Sequence, residues 1–281
     1  MDERTDVAEL FRSRWDEFTR TDRKVARVIL ANYPAAGLET LARLSERANV
    51  SAPSILRCIK KLGFDGYPEF QQALHAELHE KIRNATDRSP IEVEGSASHL
   101  PEQVRERSHG YYFNIGETFD LLQAAELDEA VSLIADDTRA LTMIGGQVAG
   151  ALARLMYHRM VMIRPNCSLL GRDPLERSER LIDISKRDVL LIFDHPPYDS
   201  GTASFASLAR ERHARIVLFT DTSMSPISEF ADSVLCAAGG LPEDFSIVST
   251  ACLAEVVIAE VRRKVGEGAA DRRRQLKEIN R

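Results

Sequence analysis

The sequence predicts an α/β protein: an all-α N-terminal domain, then a doubly wound α/β sandwich of about five parallel strands. Three observations carry that reading. Apolar residues recur at helical spacing up to about residue 82, with no strand-like alternation. From Ala140 onward, short continuous apolar runs alternate with helical stretches, the pattern of strands buried on both faces. Between the two lies NATDRSPIEVEGSASHLP, Asn84 to Pro101, whose prolines, glycine and serines mark a linker. The expected organisation is therefore 1–82, a linker over 83–103, and a second domain over 104–281.

In order, Val7 to Phe18 reads as an opening amphipathic helix. Thr21 is expected to cap a second, with Val25, Val28 and Ile29 inward, ending before Tyr33-Pro34. The segment Thr40 to Leu62 reads as two short helices around a tight turn. Leu41, Leu44 and Ala48 share one face, and Ile55, Ile59 and Leu62 share another. Asn49 suits the left-handed turn conformation, and Ser51 with Pro53 suits the start of the second helix. Gly63 stops that helix, and Phe64, Tyr67 and Phe70 anchor a fifth running to about Lys81.

Beyond the linker, helices are expected over Gln103 to Gln123 and Leu127 to Ala135. The expected strands are Leu141 to Ile144, Met160 to Ile163, Val189 to Phe193, Ile216 to Thr220 and Ser233 to Ala237. Helices over Val148 to His158, Gly201 to His213 and Phe245 to Val265 should cover the sheet. A ligand belongs beyond the carboxyl ends of such strands, at the topological switch point.

Charge points toward a polyanionic partner. From Arg20 to Lys61 nine Lys or Arg residues face only Asp22, Glu39 and Glu46, a local +6 in a chain of formal net charge −6. Concentrated positive charge on an acidic protein attracts a phosphate backbone. With the two-helix corner it reads as a helix-turn-helix whose second helix lies in a major groove. Ser54, Arg57, Lys60 and Lys61 are expected to face outward there, with Thr40 and Ser51 at the helix starts.

Other classes are disfavoured. No apolar run approaches the roughly 20 residues of a membrane helix, and the charged start MDERTDVAEL lacks a secretory core. Cys58, Cys167, Cys236 and Cys252 are scattered without a C-x-x-C pair, which suggests reduced cysteines in a cytoplasmic protein. No metal or cofactor is expected, since His, Cys and Asp show no ligand spacing.

The chain resembles the RpiR/MurR family of bacterial transcriptional regulators, which join a helix-turn-helix to a sugar isomerase (SIS) domain. The matching stretches are TDRKVARVIL, TLARLSERANVS and SILRCIKKLGFDGYPEF, then MIGG at Met143, DVLLIF at Asp188 and FTDTSMSPISEFADSVL from Phe219. The resemblance implies a homodimer or homotetramer that binds double-stranded operator DNA. It also implies a small-molecule effector, a sugar phosphate, sugar acid or related polyol, held by the SIS-like domain. The implied effector residues are Gly145, Gly146, Gln147 and Ala149 after the first strand, and His195, Tyr198, Asp199 and Ser200 after the third.

The match is incomplete at that pocket. Sugar-phosphate-binding SIS domains carry a G-x-G-x-S loop, but Gln147 and Ala149 stand at its second glycine and serine. Where S-x-S-G-x-T is usual, this chain has Asp194 to Ser200, DHPPYDS. Each element also has a plainer reading: the glycines as a tight turn, His195 as a buried loop residue, Thr220, Asp221 and Ser223 as caps for a helix near Pro226. The competing function is an aldose–ketose isomerase, for which Glu255 and Glu260 are the carboxylates placed to act as a general base. A non-sensing architectural DNA binder would leave the second domain without a role.

Overall fold

The computed structural model describes residues 6–85, 101–239 and 246–279. The chain divides into two compact units, Met1–Gly110 and Tyr111–Arg281, within a fold of an N-terminal helical unit and a C-terminal parallel sheet flanked by helices.

In the first unit, α1 (Val7–Ser13) is shorter than the expected opening helix, and a 3-10 turn at Trp15–Glu17 follows it. Helix α2 (Arg20–Ala31) is capped by Thr19, not Thr21. The Thr19 hydroxyl accepts from the Asp22 amide, and the Asp22 carboxylate accepts from the Thr19 amide at 2.9 Å, satisfying two backbone donors reciprocally. A short α3 (Ala35–Leu38) is an element the apolar spacing does not signal.

Helices α4 (Leu41–Ala48) and α5 (Ala52–Lys61) enclose the expected turn, with Asn49 left-handed at φ 45°. Leu44, Ala48, Ile55, Ile59 and Leu62 are buried, as are Val25, Val28 and Ile29 of α2. Gly63 sits at φ 102° after α5, where a side chain would strain the backbone. Helix α6 (Tyr67–Ala85) presents Phe70 and Leu74 to the core, both fully buried. Of the expected linker, residues 86–100 lie outside the described residues, while Asn84 and Ala85 close α6.

Helix α7 (Glu102–Leu121) crosses the division between the units, and α8 (Ala124–Ala135) starts three residues before the expected Leu127. The sheet consists of β1 (Ala140–Gly145), β2 (Cys167–Leu170), β3 (Asp188–Phe193), β4 (Arg215–Asp221) and β5 (Ser233–Ala237). Its order is β2-β1-β3-β4-β5, with every pairing parallel. The order reverses between β1 and β3, so the switch point lies beyond Gly145 and Phe193.

The expected strand at Met160 to Ile163 is not one. Met160 ends α9 (Gly150–Met160), and Met160 and Ile163 bury their side chains in the core beside that helix. The second strand follows as Cys167–Leu170. Helices α10 (Pro174–Asp183), α11 (Ser200–Glu211), α12 (Val248–Val265) and α13 (Glu267–Ile279) complete the second unit. Of these, α10 and α13 lack sequence counterparts, and the expected start of α12 at Phe245 lies outside the described residues. The short element near Pro226 is a 3-10 turn, Pro226–Glu229. One apolar cluster packs α8, α9 and α12 on one sheet face; another packs α11 and the Pro226 turn on the other.

Candidate functional sites

The first site is the exposed side of the α4–α5 corner. Thr40 caps α4 by accepting from the Arg43 amide at 3.3 Å. The turn is closed by Val50 N–H donating to Ser45 C=O at 3.1 Å and by the Ser45 hydroxyl donating to Val50 C=O. Ser51 stands at the start of α5, but its hydroxyl meets the Ser54 hydroxyl at 2.9 Å instead of capping a backbone amide. Ser54, expected outward, is buried. Its hydroxyl accepts from Arg57 Nη2 at 2.9 Å, so Ser51, Ser54 and Arg57 form one chain of polar contacts that aims the exposed Arg57 guanidinium.

The two lysines differ. Lys60 is exposed, whereas Lys61 Nζ lies 2.5 Å from Asp22 Oδ2, with Asp22 nearly sealed from solvent. Burial opposes ionisation of Asp22, but hydrogen bonds from Lys61 and Thr19 hold its pKa below the usual carboxylate value. Lys61 therefore fastens the end of α5 to the start of α2. The cationic surface is further reduced by Arg47, paired with Glu39 at 2.7 Å, and by Arg23, over the Trp15 ring. What the corner offers a polyanion is led by Arg57, Lys60 and Arg43.

The second site is the crevice at the switch point. Gly145 is there by necessity: a Cβ would come within 2.6 Å of the Ala149 carbonyl and the Gly150 amide. Gly146 donates to Phe193 C=O at 3.3 Å and accepts from the Gly150 amide at 2.8 Å. Gln147 and Val148 are exposed at the tip of this turn, and Ala149 is buried. Across the crevice, the position of a Gly146 Cβ lies 3.5 Å from Asp199 Cβ and 3.8 Å from Asp194 Oδ1. The turns after β1 and β3 therefore meet, as their place in the sheet requires.

Within the β3 turn most polar groups are engaged. Asp194 is fully buried; the Ser225 hydroxyl donates to it at 2.5 Å and the Asp199 amide at 3.2 Å. Burial pushes its pKa up. Asp194 ties the β3 turn to the Pro226 turn. His195 is buried with Nε2 3.0 Å from the Thr250 hydroxyl of α12, and burial lowers its pKa to about 4. It is a neutral imidazole at physiological pH and brings no positive charge to the crevice. Tyr198 donates to Asp221 at 2.7 Å, and burial raises its pKa.

Asp199 caps α11, accepting from the Thr202 amide at 3.1 Å and the Thr202 hydroxyl at 2.5 Å. Arg177 Nη1 lies 3.6 Å from one of its oxygens and Arg172 Nη2 3.7 Å from the other. Arg177 is buried, donating also to Gly171 C=O and to Thr202; the α10 arginine is the contact that the sequence did not reveal, because α10 itself was not signalled. Ser200 is exposed at the start of α11. The short-helix cap is Ser225 rather than Thr220, Asp221 or Ser223: its hydroxyl accepts from the Ile227 amide, while Thr220 accepts from Ser225.

The carboxylates considered for isomerisation are both paired. Arg159 grips Glu255 through two 2.8 Å bonds, and Arg263 holds Glu260 at 2.6 Å. The apolar side of α12 packs Val257, Ile258 and Val261 into its own core. Exposed aromatic surface lies on α7 instead, at Tyr111, Tyr112 and Phe119.

Residues 5–81 match the helix-turn-helix domain of the rpiR family, and residues 134–258 match the SIS domain. The HTH-type transcriptional regulator HexR of Pseudomonas aeruginosa is 26% identical over 242 residues, covering 86% of this chain and 81% of that protein. Among solved structures, the sugar isomerase domain of the RpiR transcription factor from Sphaerobacter thermophilus superposes with a TM-score of 0.58 at 22% identity, over 64% of this chain and 99% of that one. The Vibrio vulnificus NanR protein complexed with ManNAc-6P gives 0.57 at 18% identity over 97% of each chain. These two structural likenesses establish the fold.

Proposed function

Since this chain belongs to the rpiR family of helix-turn-helix proteins and carries a SIS domain, we propose that it is a DNA-binding transcriptional regulator whose SIS domain senses a sugar-derived metabolite and controls genes of carbohydrate metabolism. The observation that carries the DNA part is the aimed, exposed Arg57 on α5, held by buried Ser54. A guanidinium fixed in this way suits bidentate contact with a guanine edge. Thr40, Ser51 and Lys60 stand around it as phosphate contacts, while Lys61 orients the helix.

For the sensing part, the effector crevice is bounded by Gly145, Gly146, Gln147 and Ala149 on one side and by Tyr198, Asp199 and Ser200 on the other. His195 supports the second wall through Thr250. That a related fold was solved with ManNAc-6P supports a sugar-derived ligand. The mechanism is linkage: an effector that prefers one state of the regulator changes DNA affinity by its differential binding.

The isomerase alternative loses support because Glu255 and Glu260 each face an arginine, a partner that a substrate would have to displace before either carboxylate could reach it. We place assembly on α7, whose exposed Tyr111, Tyr112 and Phe119 suit a second copy, giving the homodimer or homotetramer that reading two half-sites requires. No described helix is long and apolar enough to cross a membrane; a cytoplasmic location follows from the regulatory role. The test is fluorescence anisotropy of the full chain on duplexes from the DNA flanking its own gene, with and without a metabolite panel. Saturable binding that one metabolite shifts is expected. Binding no tighter than to random duplex, unaltered by every metabolite, would overturn the proposal.

A further inference from the structure

The β1–β3 crevice is where a doubly wound sheet holds its ligand, and the charge at its wall narrows what that ligand can be. Helix α11 opens toward it, and a helix N-terminus is a natural seat for an anion, because its first amides lack helical partners. In this chain the seat is taken. The Asp199 carboxylate accepts from the Thr202 amide and hydroxyl, and buried Arg177 supports it from behind at 3.6 Å.

Burial works against the charge on Asp199, but the Thr202 hydroxyl, Arg177, the Thr202 amide and Arg172 together hold its pKa below the usual value. It is ionised at neutral pH. Its side chain also lies against Gly146, so the charge sits where the turns after β1 and β3 meet. A phosphate entering here must displace Asp199 from its helix or sit beside a fixed negative charge. Neither is favourable.

The remaining groups suit hydroxyls. Asp199 Oδ1 faces the half-exposed Arg172 at 3.7 Å, a separation that leaves both able to bond elsewhere. Side by side, an acceptor oxygen and a guanidinium N–H match two neighbouring hydroxyls, one donating to Asp199 and the other accepting from Arg172. In the turn after β1, Gln147 and Val148 are exposed, Val148 to 57%, which leaves an amide and an apolar side chain available to a polyol. Resting on the sensor reading above, we propose that the effector at this crevice is an unphosphorylated polyhydroxy compound, and that Asp199 is the residue that excludes phosphomonoesters.

The experiment is calorimetry on the full chain with inorganic phosphate and with matched pairs of hexoses, pentoses and hexitols and their own monophosphates. Wild type is compared with Asp199→Asn and Asp199→Ser. Both replacements are good helix caps, so α11 keeps its first turn, and circular dichroism verifies the fold. Wild type is expected to bind a free polyol in preference to its monophosphate. Both variants are expected to bind inorganic phosphate about tenfold more tightly than wild type does. A wild type that prefers a monophosphate would overturn the proposal while leaving the sensor reading intact. So would folded variants that gain no phosphate affinity. Failure of the sensor reading looks different: no member of any pair changes the affinity of the chain for DNA.

Discussion

Lys60 and Lys61 are neighbours on α5, yet their surroundings differ, and on the proposed function alanine at each should separate a phosphate contact from a fastening. Lys60 is exposed at the end of the helix. Its loss should reduce the slope of log affinity against log salt by about 0.9, the value for one phosphate neutralised, with little change in stability. Lys61 is held at 2.5 Å by Asp22, whose side chain is only 6% exposed. Removing it leaves a sheltered carboxylate without its cation. A fully buried pair broken in this way costs about 3–5 kcal/mol. The Lys61 side chain is 40% exposed, so water recovers part of the loss and about 1–2 kcal/mol is expected. For a domain this small, that lowers the melting temperature of the helical unit by about 4–15 °C. The assays are anisotropy on a labelled duplex from about 50 to 200 mM salt and thermal unfolding by circular dichroism. Lys61→Ala should melt early and keep its salt slope once the temperature is low enough for folding. The reasoning fails if Lys61→Ala melts with wild type while its slope falls by a full phosphate.

Other outcomes follow from the same geometry. Arg57→Ala should weaken binding to the preferred duplex by about 1–3 kcal/mol, and Ser54→Ala should weaken it by less while narrowing the preference over random duplex, both read by competition anisotropy. Gly145→Ala brings a Cβ within 2.6 Å of the backbone of Ala149 and Gly150. With no flexible side chain to yield, about 1–3 kcal/mol should be lost in urea unfolding. His195, whose folded pKa of about 4 lies below the ordinary 6.5, contributes stability that is fully present above pH 6.5. It is lost as pH falls toward 4, because the unfolded chain binds the extra proton first. The whole window is worth about 3 kcal/mol, and His195→Gln should flatten that part of the stability–pH curve; parallel curves would refute the assignment.

The parts of the fold legible in the sequence are those whose residues are buried on two sides. Strands β1, β3, β4 and β5 are continuous apolar runs because both faces are covered, and each was expected within a residue or two. β2 has Ser168 exposed and only Leu170 buried, so its signal is weak. The stronger run at Met160 to Ile163 belongs to a helix end packed in the core. A run of four apolar residues has no period with which to tell the two apart. The same holds at the sites. Asn49, Arg57 and Gly145 could be singled out because turn conformation and charge are local properties. The capture of Lys61 by Asp22 and the Arg177–Asp199 contact each join residues on different elements, which spacing along the chain does not encode.

The crevice also shows why a sensor can tolerate what an isomerase could not. Isomerisation needs a free base at the reacting carbons and remote binding energy, commonly from a phosphate, to hold the substrate against it. Glu255 and Glu260 are each paired with an arginine, and Asp199 fills the anion seat of α11. A regulator has a smaller requirement. Its effector must bind one state more tightly than the other, and a coupling of about 1–3 kcal/mol is enough to change DNA affinity five- to 150-fold. Hydroxyl contacts to Asp199 and Arg172 can supply a difference of that size without phosphate, since hydrogen bonds to charged groups contribute about 1.5–3 kcal/mol each. On the proposal made above, the carboxylate that occupies the start of α11 leaves the SIS fold with a ligand site suited to binding rather than turnover.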